Sequence, residues 1–275
     1  MNGVTMLTSS NITPRLGAEL DAAIQLNDLS ESQVAELVLL CAERGVVVAR
    51  NQYMSPQEQS EFAHRLGEPL TFPNNPAHIP EELIVIQAGP NSKQAAGEGW
   101  HSDVSSEAKP PGLSMLRMEQ VPDHGGDTLF ADMYQAFESL SKPIQEFLEM
   151  LTARHEPRGH YLYLSGAKAF DQLETTDHPV VRIHPLTGKK ALYVNDGFVN
   201  KINGVSQPES RALLKMLYDH IAYTVKMHCR IAWAPNTVVF WDNRCVQHYA
   251  AFDYFPERRK GYRVTIRGER PIACH

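Results

Sequence analysis

Apolar positions recur at helical spacing early in the chain. Val34, Leu37, Val38 and Cys41 share a face, and Gly45 stops the run where a C-cap belongs. The β-branched stretch Val46 to Ala49 predicts a short strand. Ser55-Pro56-Gln57-Glu58 then supplies an N-cap serine, a first-turn proline and an early acid, which together start a second helix. From Glu82 to Ala131 the signals shorten. Strands are expected at Leu83 to Ile86, Ser114 to Met118 and Thr128 to Phe130, separated by loops rich in Gly and Pro. Asp132 caps a helix whose periodicity reaches about Arg154, broken near Lys142-Pro143, and another helix is expected between Pro208 and Ile221.

The C-terminal half otherwise reads as β. Val225, Met227, Cys229 and Ile231 alternate with Lys226, His228 and Arg230, the pattern of a strand with one buried face. Val238 to Trp241 and Tyr262 to Gly268 read the same way. No internal repeat or break in composition divides the chain, so a single domain over residues 1–275 is expected. The fold class is α+β with a mainly β core. Strands toward both ends, with helices between them, predict an antiparallel jelly roll with helical insertions.

Composition narrows the function more than the fold. A formal net charge of -6 provides no electrostatic footprint for nucleic acid or an anionic membrane, and neither partner is expected. Cys41, Cys229, Cys245 and Cys274 lie far apart without a CxxC pair, which argues against a disulfide scaffold and a thiolate zinc knot, and for a reducing compartment. Met1 to Leu20 does not read as a secretory leader, and stretches such as Leu37 to Ala42 fall far short of the roughly 20 apolar residues of a membrane span. A cytoplasmic location is expected.

Candidate chemistry begins at His101-Ser102-Asp103. In extended chain, residues i and i+2 point to one side, so an imidazole and a carboxylate can meet one ion. Among 12 histidines and 32 acids such a motif alone is weak. His248, within Trp241-Asp242-Asn243-Arg244-Cys245-Val246-Gln247-His248-Tyr249-Ala250, completes a set of two histidines and one carboxylate, which suits divalent iron and leaves coordination positions open. Two other readings stand beside it: a hydrolytic zinc site, and a metal-bound barrel that holds a small ligand without turnover. Arg259 and Arg263 share a face of an extended chain roughly 13 Å apart and can serve two anions, although Arg258, Lys260, Arg267 and Arg270 also permit a solvated basic strand end. His124, His228 and His275 are explained by surface or local hydrogen bonding, and Cys245 by burial as a small hydrophobe.

In order, His101-x-Asp103, Gly125-Gly126-Asp127-Thr128, Asn195-Asp196-Gly197-Phe198, Trp241-Asp242-Asn243-Arg244, Gln247-His248-Tyr249-Ala250 and Arg259 with Arg263 resemble the taurine dioxygenase/TfdA family of iron(II)- and 2-oxoglutarate-dependent dioxygenases. The resemblance covers most of the chain and extends, less diagnostically, to Gly17-Ala18 and Arg65-Leu66-Gly67-Glu68. It implies a double-stranded β-helix with His101, Asp103 and His248 as iron ligands at one mouth. It also implies that Thr128 and Arg259 hold the distal carboxylate of 2-oxoglutarate. The implied reaction consumes O₂ and 2-oxoglutarate, releases succinate and CO₂, and oxidises an unactivated C–H. Hydroxylation, desaturation and ring closure all remain open, and relatives commonly form homo-oligomers.

Substrate residues carry over less completely. Phe198 and Arg263 match the family, and Arg263 favours a small anionic substrate: a carboxylate, a sulfonate or an amino acid. In the Leu70 to Asn75 loop, Phe72 takes the place of a sulfonate-binding histidine and Asn75 that of a tyrosine. Phenylalanine donates no hydrogen bond, which disfavours taurine itself. Tyr161 aligns near a pocket aromatic. Trp241 fits either a site wall or plain core packing.

Overall fold

A computed structural model describes residues 6–72, 78–92 and 97–274. After two short strands, β1 (Ser9–Asn11) and β2 (Ala18–Leu20), the first long element is α1 (Glu31–Arg44). Its start is a capping box in which Ser30 Oγ accepts from the Gln33 N–H and the Gln33 side chain accepts from the Ser30 N–H. Gly45 ends it at φ 71°, a left-handed backbone that glycine adopts without penalty. An added Cβ there would lie 2.5 Å from Val246 Cγ1, so this position excludes side chains twice over. β3 (Val46–Ala49) follows, and α2 (Pro56–Leu66) starts from Ser55 and Glu58 as its sequence predicts.

The middle of the chain supplies β4 (Ile84–Ala88), β5 (Leu113–Gln120), β6 (Thr128–Asp132), α3 (Met133–Glu138), α4 (Lys142–Glu149), β7 (Thr152–His155), α5 (Gly159–Ser165), β8 (Thr176–Pro179), β9 (Val181–Ile183), β10 (Lys190–Leu192) and β11 (Val199–Ile202). The remainder is α6 (Gln207–Tyr223), β12 (His228–Ile231), β13 (Thr237–Asp242), β14 (Val246–Ala250), β15 (Arg259–Thr265) and β16 (Ile272–Ala273). Asp132 caps α3 by accepting from the Gln135 N–H. The helical pattern expected to run to Arg154 stops at Glu149, because Ala153 and Arg154 pair with His178 and Asp177 of β8. The alternation from Val225 to Ile231 is strand only from His228. Val225 is exposed and begins a tight turn that brings the chain back from α6. β15 starts three residues earlier than expected, which places Arg259 within it.

A seven-stranded sheet has the order β1-β2-β3-β13-β5-β15-β4, antiparallel except for β2 beside β3. β12-β6-β14 forms a second antiparallel sheet, and β11-β7-β8 and β10-β9-β16 form two more. The central strands are buried on both faces, and successive residues divide between two cores. Val47, Met115, Val238, Phe240, Tyr262 and Val264 pack with Leu37, Cys41 and Phe62 of the two N-terminal helices. Val46, Leu116, Val239 and Trp241 face the other way, toward Phe130, Cys229 and Val246 of the second sheet. The chain is thus α+β with a mainly antiparallel β core. Among the described residues no helix is long and apolar enough to cross a membrane.

Candidate active site

Arg263 falls between Tyr262 and Val264, both of which face the helices, so period-two geometry turns it toward the opposite layer with Trp241. There it lines a cavity of about 330 Å³ together with His101, Asp103, Thr128, Tyr161, Phe198, Trp241, His248 and Arg259. Residues separated by up to 162 positions thereby meet in one place. Phe72 is buried and does not line this cavity; its N–H donates to the Glu81 carbonyl at 3.0 Å. Asn75 lies outside the described residues.

His101 and His248 are joined through their main chains. The His248 N–H donates to the His101 carbonyl at 2.8 Å, and the His101 N–H to the His248 carbonyl at 3.2 Å. Their rings lie 4.1 Å apart. His101 Nδ1 is 2.9 Å from the Gly99 carbonyl, which only accepts, so Nδ1 carries the proton and Nε2 keeps a lone pair for the cavity. Gly197 permits this approach, since a Cβ there would sit 2.7 Å from His101 Cβ. His248 is enclosed by Phe130 and Trp241, and its Nδ1 is buried with no hydrogen-bond partner among the described residues. Burial pulls both imidazoles below the usual histidine range, His248 strongly and with added repulsion from His101, so both rings are neutral donors at neutral pH.

Asp103 is 4% exposed, and burial alone would raise its pKa. The positive charge of Arg263, the neighbouring His248 and His101 rings and a hydrogen bond from Ser114 outweigh that and hold the carboxyl well below its ordinary range. Arg263 Nη1 reaches Asp103 Oδ1 at 3.0 Å, and His248 Nε2 lies 3.9 Å from the same oxygen. The contact with Asp103 is a partner that sequence reasoning did not give Arg263. Its Nε is buried without a hydrogen-bond partner among the described residues.

Ligand atoms of His101, Asp103 and His248 all lie within 4.8 Å of one another. One ion bonding nitrogen and oxygen at about 2.0–2.2 Å can reach all three, and two neutral imidazoles with one carboxylate are the donor chemistry that iron(II) accepts. The residues therefore fit such an ion. His184, Asp242 and Cys245 are also close together, but there the Asp242 carboxylate takes a two-point bond from Arg244 at 2.7 and 2.6 Å and a third from His184 Nε2. Backbone N–H groups of Leu186 and Thr187 occupy His184 Nδ1, which makes this cluster a brace rather than a cation site.

Farther along the cavity, Arg259 is 6% exposed and its Nε has no hydrogen-bond partner among the described residues. Burial lowers its pKa, and its guanidinium lies over the Trp233 ring at 5.6 Å. The Trp233 indole N–H donates to Thr128 Oγ1 at 3.0 Å, holding the hydroxyl beside Arg259. A desolvated guanidinium that ion-pairs with no carboxylate among the described residues is a receptor for an anion. The opposite wall is apolar: Val104, Tyr161 and Phe198 form a small cluster, and the Tyr161 hydroxyl is bound by Glu107. Arg158, which sequence reasoning did not single out, also lines the cavity and donates to the Gly197 carbonyl.

A family model described as Taurine catabolism dioxygenase TauD, TfdA family matches residues 8–265. An alpha-ketoglutarate-dependent sulfonate dioxygenase of Saccharomyces cerevisiae is 39% identical over 98% of this chain and 69% of its own length. An alpha-ketoglutarate-dependent sulfate ester dioxygenase of Pseudomonas putida is 32% identical over 95% of this chain and 89% of its own. A crystal structure of a taurine dioxygenase from Burkholderia xenovorans superposes with a TM-score of 0.84 at 31% identity, covering 98% of this chain and 93% of that one.

Proposed function

This chain belongs to the TauD/TfdA family of 2-oxoglutarate-dependent dioxygenases, and from that premise we propose that His101, Asp103 and His248 hold iron(II) for the oxidation of a small organosulfur anion. The substrate is a sulfonate or a sulfate ester, with small carboxylates and amino acids as the next class. The main support is the juxtaposition of two neutral imidazoles and one carboxylate with the buried Arg259 and the half-buried Arg263 in one cavity. The names of the yeast and Pseudomonas relatives support the sulfur chemistry. The two facing sheets are read as a double-stranded β-helix with this cavity at one mouth.

Iron, when bound, supplies activation of O₂ coupled to oxidative decarboxylation of 2-oxoglutarate. Overall, R–H, 2-oxoglutarate and O₂ give R–OH, succinate and CO₂. The protein's part is orientation and exclusion of water. Arg259 and the Thr128 hydroxyl bind the far carboxylate of 2-oxoglutarate, and Arg263 takes the anionic head of the substrate. Val104, Phe198 and Tyr161 supply the apolar surface against which the substrate's carbon chain lies. A hydroxyl placed on the carbon that carries the sulfur or sulfate group gives a product that breaks down to a carbonyl compound. Four free cysteines support a reducing, cytoplasmic setting.

The test is succinate release by purified protein with iron(II), ascorbate, 2-oxoglutarate and O₂, screened across alkyl sulfonates, alkyl sulfate esters, carboxylates and amino acids. Stimulation by an organosulfur anion, lost in His101→Ala, is expected. Failure of the wild-type protein to bind iron(II) would overturn the assignment, and stimulation by carboxylates alone would overturn the substrate class.

A further inference from the structure

Two buried side chains, Ser114 and Asn243, contact Asp103 from behind the cavity. Ser114 lies on β5 directly opposite Trp241 in the antiparallel register with β13. Asn243 follows the last residue of β13 and is tied to the residue just before β5, its N–H donating to the Gly112 carbonyl at 2.8 Å. Neither residue lines the cavity.

The Asn243 amide has only one sensible orientation. The Asp103 N–H reaches its Oδ1 at 3.1 Å, and the Trp241 indole N–H reaches the same atom at 3.2 Å. Both partners are obligate donors, so the carbonyl end faces them and the NH₂ end faces Ser114. Asn243 Nδ2 donates to Ser114 Oγ at 2.9 Å, and Ser114, with an acceptor site engaged, donates its single proton to Asp103 Oδ2 at 2.9 Å.

We propose that Asn243 and Ser114 are positioning residues for the candidate iron site, acting as a directed relay that occupies Asp103 Oδ2 and holds Oδ1 toward His101 and His248. The inference rests on the metal reading above. A carboxylate torsion is broad by itself; Arg263 Nη1 meets Oδ1 at 3.0 Å but does not reach Oδ2, so without the serine proton the Oδ2 end is unrestrained and a buried oxygen loses its donor. The relay also explains why residue 243 carries an amide. An aspartate there has acceptors only; it would take the serine proton for itself and leave oxygen lone pairs opposed at Asp103. Outer hydrogen bonds of this kind typically tune metal affinity by about 10- to 100-fold.

The experiment is titration of metal-free protein with Mn(II), following the free ion by electron paramagnetic resonance, alongside thermal melting of the same metal-free proteins. Wild type should bind Mn(II), and His101→Ala should lose it. Ser114→Ala and Asn243→Asp should each weaken Mn(II) by about 10- to 100-fold, while Ser114→Thr, which keeps the hydroxyl, stays close to wild type. A purely structural role would lower the melting temperature and leave affinity intact, so unchanged Mn(II) affinity in both weakened variants would overturn the relay. Failure of Ser114→Thr to restore affinity while its melting temperature is preserved would do the same. A wild-type protein that binds no Mn(II) would overturn the metal reading, and the relay with it.

Discussion

Arg259 is a cation with little solvent and no ion-paired carboxylate among the described residues, Asp127 acting on it only from beyond contact, so its best use is to meet an anion that arrives with the reaction. Arg259→Leu is therefore expected to weaken 2-oxoglutarate by about 10- to 100-fold, the cost of losing charge-assisted bonds, and to leave Mn(II) affinity unchanged; calorimetry of both ligands checks this. Much of this chemistry was legible in the sequence. His101, Asp103, His248, Thr128 and Arg259 sit in short ordered motifs whose residue types limit what they can do. Ser114 and Asn243 carry no such signal. A serine in one strand and an asparagine 129 residues later acquire a shared role only through the pairing of β5 with β13. The contact of Arg263 with Asp103 was hidden for the same reason, as it spans 160 positions.

Among the elements, the helices announce themselves locally through Ser30, Ser55, Asp132 and the proline-led first turns. Strands of three or four residues such as β7 and β9 do not, because their pairing partners specify them more than their own composition. β7 and β8 also carry an acid-sensitive pair, His155 and His178, with rings 5.0 Å apart and both buried. Burial pulls His178 down to about 4, with only partial compensation from the Glu107 carbonyl that it meets at 2.9 Å. The sign follows from linkage. Between the ordinary histidine value and about 4 the unfolded chain binds a proton that the folded chain refuses, so this stability is full above about pH 6.5 and is lost as pH falls toward 4. Urea unfolding at pH 7 and pH 5 should show wild type losing on the order of 2 kcal/mol more than His178→Gln. Equal losses would remove His178 as the cause.

For the whole molecule, the seven-stranded sheet separates two cores, one against the N-terminal helices and one against the second sheet, and the cavity belongs to the second. The strands that divide them were legible as apolar runs such as Val46 to Ala49 and Val238 to Trp241, but which face met which layer was not. An ion held as proposed, by His248 of β14 and by His101 and Asp103 before β5, would tie the second sheet to the segment that leads into the first. Saturation with Mn(II) at about 100 times its dissociation constant should add roughly 2.7 kcal/mol to stability and raise the melting temperature by several degrees over protein in chelator. A melting temperature indifferent to chelation would contradict a site shared between layers. The reciprocal main-chain bonds between His101 and His248 bear on how such an ion enters and leaves. Since the backbone itself sets the spacing of the two imidazoles, those two amide protons should already be protected from exchange with deuterated solvent in stripped protein, with bound ion adding further protection. Metal capture would then demand no folding step, and an enzyme emptied by scavenging or by oxidation of its iron would be ready for reloading at once.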